Sequence, residues 1–148
     1  SRHGSIMPSH GIQLRKSYIR KLKYMEQSHK ILIIEDDTSL LRLYQTKLEK
    51  LGYTIAAAQD GQEGLEKVSS FNPDVILLDI IIPKLDGFAV LERLKAMSGT
   101  KNIPVILLTN LGQDEDIQKG KSLGAAGYLV KSDFTPAEVG KKIEEALK

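Results

Sequence analysis

The sequence contains no cysteine, and aromatic residues make up only 5% of its 148 positions. Without cysteine the chain has neither a disulfide framework nor a thiolate metal site, and a reducing compartment is allowed. No apolar run approaches the roughly 18 residues that span a bilayer. With 41% hydrophobic and 27% charged residues, the composition is typical of a soluble globular protein, and we expect a cytoplasmic location with no membrane span.

The net charge of +2 is unevenly distributed along the chain. Residues 1–30 carry seven Lys and Arg against one acid, Glu26, which leaves about +6 in this segment and about −4 in the remainder. The pI near 8.7 therefore describes a basic extension attached to a mildly acidic domain. It does not argue for direct nucleic-acid binding by that domain.

Residues 1–29 are predicted to be a basic N-terminal extension, followed by one domain over 30–148. The opening Ser-Arg-His-Gly-Ser resembles a cloning remnant, so part of residues 1–24 is tag-derived in one interpretation. A second interpretation is a solvated or weakly docked helix, and a third is a basic anchor for a membrane or nucleic acid. The apolar residues that predict a short amphipathic helix here are Tyr18, Ile19, Leu22 and Met25.

Beyond Lys30, short apolar runs alternate with amphipathic stretches of helical length. Several of the runs are continuous Ile, Leu or Val, which indicates strands buried on both faces of a parallel sheet. Five strands are predicted, at 31–34, 54–57, 75–78, 105–108 and 128–130. Five helices are predicted, at 40–51, 62–69, 87–97, 114–123 and 136–147. This alternation predicts an α/β fold with helices on both faces of the sheet, that is, a doubly wound fold.

Polar residues follow the predicted strands at the edge where ligands of such sheets collect. Carboxylates brought together there would repel one another unless they hold a hard divalent cation such as Mg²⁺. A nearby lysine adds the point charge that phosphate oxygens require, so the pattern indicates phosphoryl transfer. The residues concerned are Glu35, Asp36 and Asp37 after the first strand, Asp79 after the third, Thr109 and Asn110 after the fourth, and Lys131 and Ser132 after the fifth.

Four motifs with matching order and spacing resemble the receiver domains of two-component response regulators over residues 30–148. The resemblance implies a flavodoxin-like sheet of five parallel strands in the order 2-1-3-4-5, with five helices. The motifs are 31–37 (ILIIEDD), 74–79 (DVILLD) with Pro83 and Asp86-Gly87, 103–109 (IPVILLT) and 124–131 (GAAGYLVK).

The resemblance also implies the chemistry of individual residues. Asp79 would accept a phosphoryl group from a histidine kinase or a histidine phosphotransfer protein. Asp36, Asp79 and the backbone carbonyl of Ile81 would bind Mg²⁺, with Glu35 acting through water, and Lys131 would pair with the phosphate. The domain would thus be no ordinary enzyme, but a phosphoacceptor that assists its own phosphorylation and slow dephosphorylation.

Two residues would form the switch. On phosphorylation, Thr109 would move toward the phosphate and Tyr128 would turn inward, which changes the surface of the fourth helix, fifth strand and fifth helix. A downstream protein, or a second copy of the chain, would read that surface. Tyr128 also has a simpler interpretation, as a half-buried core residue whose hydroxyl is in water.

One departure from the family pattern and two further positions carry expectations of their own. Ser132 stands where the family usually has proline, often after a cis bond, so the Lys131–Ser132 peptide is expected to be either trans or strained. Ile81 and Leu111 occupy positions that tune the lifetime of the phosphorylated form. Because both are apolar, neither can activate an attacking water, and we expect slow loss of phosphate.

Several functions remain open at the level of sequence. The chain stops just after the last predicted helix, which favours a stand-alone regulator or phosphorelay carrier. The alternative is a receiver fragment of a longer DNA-binding transcription factor. A Mg²⁺-dependent aspartyl phosphatase is disfavoured because Ile81 stands where such enzymes usually carry a second acid. A flavin-binding module ranks last, because the acids would repel an anionic phosphate.

Overall fold

Five short strands form one parallel sheet in the order β2-β1-β3-β4-β5, as predicted. The structure is a computed structural model that describes the backbone of residues 9–148 and the side chains of residues 11–20 and 28–148. Each predicted strand is present, with bounds that differ by at most one residue at either end. The strands are β1 (Lys30–Ile34), β2 (Thr54–Ala58), β3 (Val75–Leu78), β4 (Val105–Thr109) and β5 (Gly127–Val130).

Six α-helices lie in the described part of the chain, one more than the five predicted for the domain. The additional helix belongs to the N-terminal extension, where only a short helix from Tyr18 onward was expected. A single 3₁₀ turn, Lys131–Asp133, follows β5 and was not predicted. The helices are α1 (Ser9–Gln27), α2 (Thr38–Lys50), α3 (Gly61–Phe71), α4 (Gly87–Ala96), α5 (Asp114–Ser122) and α6 (Pro136–Ala146).

The core has two layers because successive strand residues point to opposite faces of the sheet. Leu32, Ile76 and Leu107 face the layer covered by α3 and α4. Their neighbours Ile33 and Leu77 face the layer covered by α2 and α6. All four residues of β3 are buried, so this central strand, which ends at Asp79, is held on both sides.

Side-chain caps set the first residues of the helices near the sheet's carboxyl edge. Asp37 accepts a hydrogen bond from the N–H of Leu40 and so caps α2, and it is not one of the three clustered acids. Asp86 caps α4 through the N–H of Ala89 in the same way. Thr135 and Glu138 form a capping box at the start of α6.

The exposed face of α1 bears apolar side chains, with Leu14 and Tyr18 58% and 64% exposed. The side chains of Leu22 and Met25, which the amphipathic pattern includes, lie outside the described residues, as do residues 1–8. Across residues 9–148, none of the helices combines the length and the apolar character that a bilayer crossing requires.

Candidate functional site

Strand register brings Glu35 and Asp79 side by side at the carboxyl edge of the sheet. Ile34 of β1 pairs with Leu78 of β3, so the next residue of each strand is an acid at the same level. The N–H of Asp79 donates to the carbonyl oxygen of Ile34 at 3.0 Å, which extends the pairing past the last strand residue. Two acids distant in sequence are therefore placed together by the β1–β3 pairing alone.

Asp36 completes a group of three acids. One carboxylate oxygen from each of Glu35, Asp36 and Asp79 lies within 4.8 Å of the other two. Glu35 and Asp79 are only 3% and 6% exposed, whereas Asp36 faces solvent. Oxygen donors at this spacing, with one open side, suit a hard divalent cation that keeps part of its water shell. The donor set therefore fits Mg²⁺.

Lys131 lies between the two buried acids. Its Nζ is 2.6 Å from Oε1 of Glu35 and 2.7 Å from Oδ2 of Asp79. The register of β4 with β5 pairs Thr109 with Val130, so Lys131 follows directly at the same edge. The Lys131–Ser132 peptide is trans, since residues 9–148 contain no cis bond. Replacing the family's proline with serine therefore still leaves the ammonium at Asp79.

Burial and neighbouring charges shift the proton affinities of these groups in opposing ways. Burial raises the pKa of Glu35 to about 7; the charge of Asp79 adds to this rise, and the hydrogen bond from Lys131 opposes it. Burial alone would lower the pKa of Lys131, but its hydrogen bonds to Asp79 and Glu35 outweigh that effect and raise the pKa. The ammonium is therefore charged at neutral pH.

Both carboxylate oxygens of Asp79 have hydrogen-bond donors. Oδ1 accepts from the N–H of Ile80 at 2.7 Å and from that of Ile81 at 3.3 Å, while Oδ2 accepts from Lys131. Such bonds hold the carboxylate in one orientation. The side chain of Ile81 itself points outward and is 61% exposed.

The two predicted switch residues meet at the backbone of Leu111. Thr109 is fully buried, and its Oγ1 accepts a hydrogen bond from the Leu111 N–H at 3.4 Å. The hydroxyl of Tyr128 donates to the Leu111 carbonyl at 2.6 Å. Tyr128 is half-buried against the core, as its simpler interpretation held, but its hydroxyl bonds to the protein and not only to water. Burial, with smaller effects of Asp116 and Asp79, raises the pKa of Tyr128 to about 12.

Gly87 supports the site because it has no side chain, and not because of an unusual backbone conformation. Among the described glycines only Gly52 and Gly124 have positive φ. A Cβ at Gly87 would instead lie 2.3 Å from the carbonyl oxygen of Asp79 and 2.6 Å from the Cα of Ile80. Glycine is needed because α4 begins directly against the backbone of the central acid.

Tyr44 is a neighbour of the site that sequence reasoning did not identify. It lies on α2 and is 3% exposed, beside the buried acids. Burial raises its pKa, while Lys131 lowers it and the charges of Glu35 and Asp79 raise it further. The sequence offers one indication of this position, a tyrosine on an otherwise apolar helix face. Helix periodicity alone, however, assigns such a residue to the core.

Comparison with known proteins places this geometry in a family. Residues 31–144 match the family model described as the response regulator receiver domain. The chain is 38% identical over 124 residues to a probable transcriptional regulator ycf27 of Guillardia theta, covering 84% of this chain and 47% of that protein. It is 43% identical over 102 residues to the DNA-binding dual master transcriptional regulator RpaA of Synechocystis sp., covering 69% of this chain and 42% of that protein.

Solved structures agree with the sequence matches. The chemotaxis protein CheY4 of Vibrio cholerae superimposes with a TM-score of 0.76 at 32% identity, covering 81% of this chain and 99% of that one. By contrast, the chain spans about half the length of the curated relatives it matches, 47% and 42% for the two above. The likeness to those regulators therefore concerns one part of each of them.

Proposed function

The chain belongs to the response regulator receiver domain family and is a receiver domain of two-component signalling, and we propose that Asp79 is its phosphoacceptor. The observation that supports this most directly is the position of Asp79. Its buried carboxylate is held on both oxygens and lies within 4.8 Å of two other acids. Phosphoryl transfer depends chiefly on positioning and charge stabilisation, and this edge of the sheet supplies both.

The proposed reaction is a transfer from phosphohistidine to aspartate. A carboxylate oxygen of Asp79 attacks the phosphorus, forming the O–P bond as the N–P bond of the donor imidazole breaks. The electron pair of the broken bond stays on the imidazole nitrogen, which takes a proton. Lys131, now 2.7 Å from Oδ2, pairs with an oxygen of the transferred group and offsets its charge. The donor is a histidine kinase or a histidine phosphotransfer protein.

Mg²⁺ is the proposed cofactor. Asp36, Asp79 and the carbonyl of Ile81 would hold it directly, and Glu35 would act through water; the mutual spacing of the three carboxylates supports this donor set. When bound, the ion supplies positive charge that offsets the negative charge on the transferring oxygens. Without it, Glu35 and Asp79 share the single ammonium of Lys131.

The proposed output passes through Thr109 and Tyr128. Thr109 turns its hydroxyl toward the phosphate, which alters its bond with the Leu111 N–H. Because the Leu111 carbonyl also accepts the Tyr128 hydroxyl, the change reaches the surface of α5, β5 and α6. A downstream protein or a second copy of the chain binds there, with an affinity that differs between the two states. The proposed location is the cytoplasm.

The receiver either acts alone, as a regulator or phosphorelay carrier, or belongs to a longer DNA-binding transcription factor. The second possibility is supported by the relatives, which are described as transcriptional regulators and extend well beyond the matched region. In that case, phosphorylation would promote pairing of receivers through α5 and α6. The native reading frame beyond Lys148 distinguishes the two possibilities.

Intact-mass measurement tests the proposal. The purified chain is incubated with Mg²⁺ and acetyl phosphate or phosphoramidate, and we expect the mass of one added phosphoryl group. Asp79→Asn removes the acceptor and is expected to give no adduct, whereas Asp114→Asn, an exposed acid on α5, reacts as the parent does. An equal adduct on the Asp79 variant would refute Asp79 as the acceptor.

A further inference from the structure

The loop between β3 and α4, residues 79–86, holds the Ile81 carbonyl in an irregular conformation. Two short-range bonds shape it, from Ile82 N–H to the Ile80 carbonyl at 3.2 Å and from Leu85 N–H to the Pro83 carbonyl at 2.8 Å. Lys84 within it has a φ of 67°, in the left-handed region that disfavours residues other than glycine. A strained loop of this kind keeps its shape only where its surroundings hold it.

Those surroundings are the first residues of α3. The N–H of Gly61 donates to the Pro83 carbonyl at 3.2 Å. Asp60, which caps α3 through the N–H of Glu63, has its Oδ2 3.6 Å from Nζ of Lys84. Both contacts reach the part of the loop that carries the left-handed residue, so α3 stabilises the loop at its strained point.

Close packing adds a stronger constraint than these polar contacts. A Cβ at Gly61 would lie 1.9 Å from the carbonyl oxygen of Leu85 and 2.8 Å from its carbonyl carbon. These are backbone atoms, which cannot rotate away as the end of a side chain can. An ordinary contact needs roughly 1.5 Å more, so any side chain at this position would displace the loop by about that distance.

The two ends of the loop are held against each other and cannot absorb such a displacement. Gly87 packs so closely that a Cβ built on it would lie 2.3 Å from the carbonyl oxygen of Asp79. Its N–H donates to the Ile80 carbonyl at 2.8 Å. A displacement at Leu85 is therefore expected to move the middle of the loop, which contains Ile81.

We propose that Asp60 and Gly61 are positioning residues for the cation: they hold the β3–α4 loop so that the Ile81 carbonyl faces the acid cluster. This inference rests on the proposed Mg²⁺ site and extends it to α3, none of whose residues is among the proposed ligands. Mg²⁺ tolerates little departure from octahedral geometry, with ligand distances of about 2.0–2.1 Å. A loop shift of more than an ångström would remove one protein ligand.

Gly61→Ala tests the inference, with Gly64→Ala as its matched control. A Cβ at Gly64, on the same helix, would lie 2.5 Å from Cδ1 of Ile34, the movable end of a side chain that does not belong to the loop. Magnesium affinity is measured by isothermal titration calorimetry on the full chain, and stability is measured by urea unfolding. We expect Gly61→Ala to bind Mg²⁺ about 10- to 100-fold more weakly, and Gly64→Ala within about twofold of the parent.

The control also separates positioning from general loss of stability. Affinity within twofold of the parent for Gly61→Ala would overturn the inference, as would equal weakening in both variants at equal loss of stability. The parent chain distinguishes failure of the underlying proposal: if its Mg²⁺ affinity does not depend on Asp36 and Asp79, there is no site for α3 to position.

Lys84→Gln tests the positioning inference if Gly61→Ala does not fold. Lys84 is 68% exposed, so the variant is expected to fold, and it removes only the contact with Asp60. Loss of a positive charge near a cation site would by itself strengthen Mg²⁺ binding. Loss of loop positioning weakens it, and we expect a decrease of about three- to fivefold, beyond the twofold band allowed to the control. An unchanged or increased affinity would overturn the inference.

Discussion

The ammonium of Lys131 lies 2.6 Å from the carboxylate of Glu35. The family resemblance assigns these two residues to different partners, the lysine to phosphate and the glutamate to a metal-bound water. In the structure they pair with each other, and the same ammonium also reaches Asp79 at 2.7 Å. Lys131 is therefore the charge that keeps two buried acids together, and the proposed phosphate and Mg²⁺ would have to compete with that arrangement.

Removing this shared charge should destabilise the domain. We expect Lys131→Met to lower the free energy of unfolding by about 3 kcal/mol at about pH 8, because two buried carboxylates lose their partner. Urea unfolding in the presence of a chelator measures the loss, and added Mg²⁺ should reduce it. Lys142→Met is the control: its pair with Glu145 is exposed and should change stability by less than about 1 kcal/mol. Equal losses in the two variants would contradict the assignment.

The raised pKa of Glu35 predicts how stability depends on pH. Burial raises that pKa from 4.5 to about 7 in the folded chain, despite the opposing bond from Lys131. Between these values the folded state holds a proton that the unfolded state has released, so the free energy of unfolding should fall as pH rises from 4.5 to 7. Glu35→Gln should remove this part of the slope, and Glu145→Gln, at an exposed site, should keep it. Unfolding curves across the window, without Mg²⁺, check both; an unchanged slope in Glu35→Gln would count against the prediction.

Loss of the Tyr128 hydroxyl should be measurable in two ways. Tyr128→Phe leaves the Leu111 carbonyl without the donor that lies 2.6 Å away, which should cost about 1 kcal/mol of stability. Because burial raises the pKa of Tyr128 to about 12, a tyrosine that ionises late in a spectroscopic titration should disappear in this variant. Tyr18→Phe, on the exposed face of α1, should change neither quantity. Burial also raises the pKa of Tyr44, so one late-ionising tyrosine should remain in Tyr128→Phe. A late-ionising signal as large as the parent's would contradict the prediction.

The two apolar residues near the proposed phosphorylation site, Ile81 and Leu111, should govern the lifetime of the phosphorylated form. Replacing Ile81 with Asn and Leu111 with Glu places polar groups where they can orient an attacking water, so the phosphorylated form should decay roughly tenfold faster or more. The decay of the intact-mass adduct after removal of the phosphodonor provides the measurement. Leu43→Asn, an exposed apolar residue on α2, controls for a general effect of polarity. Identical decay rates in all three proteins would refute the prediction.

The strands and the caps could be predicted from sequence because their signals are local. A buried strand such as β3 appears as a continuous apolar run that ends at the first acid, and the Thr135–Glu138 capping box lies within one helical turn. The extent of α1 could not be predicted in the same way. Its first described residue, Ser9, precedes the apolar repeat by about two and a half turns, and no acid in the first turn signals its start.

Sequence alone determined which side chains reach the carboxyl edge of the sheet, since the ends of the apolar runs place Asp36, Asp79 and Lys131 there whatever the details of packing. Only the tertiary structure decided that Lys131 pairs with Glu35 and that the missing side chain of Gly61 makes room for the Leu85 carbonyl. These contacts join residues far apart in the chain, and they depend on strand register and helix docking at the scale of an ångström. Hydrophobic periodicity carries no information at that scale, because it records only which face of an element is buried.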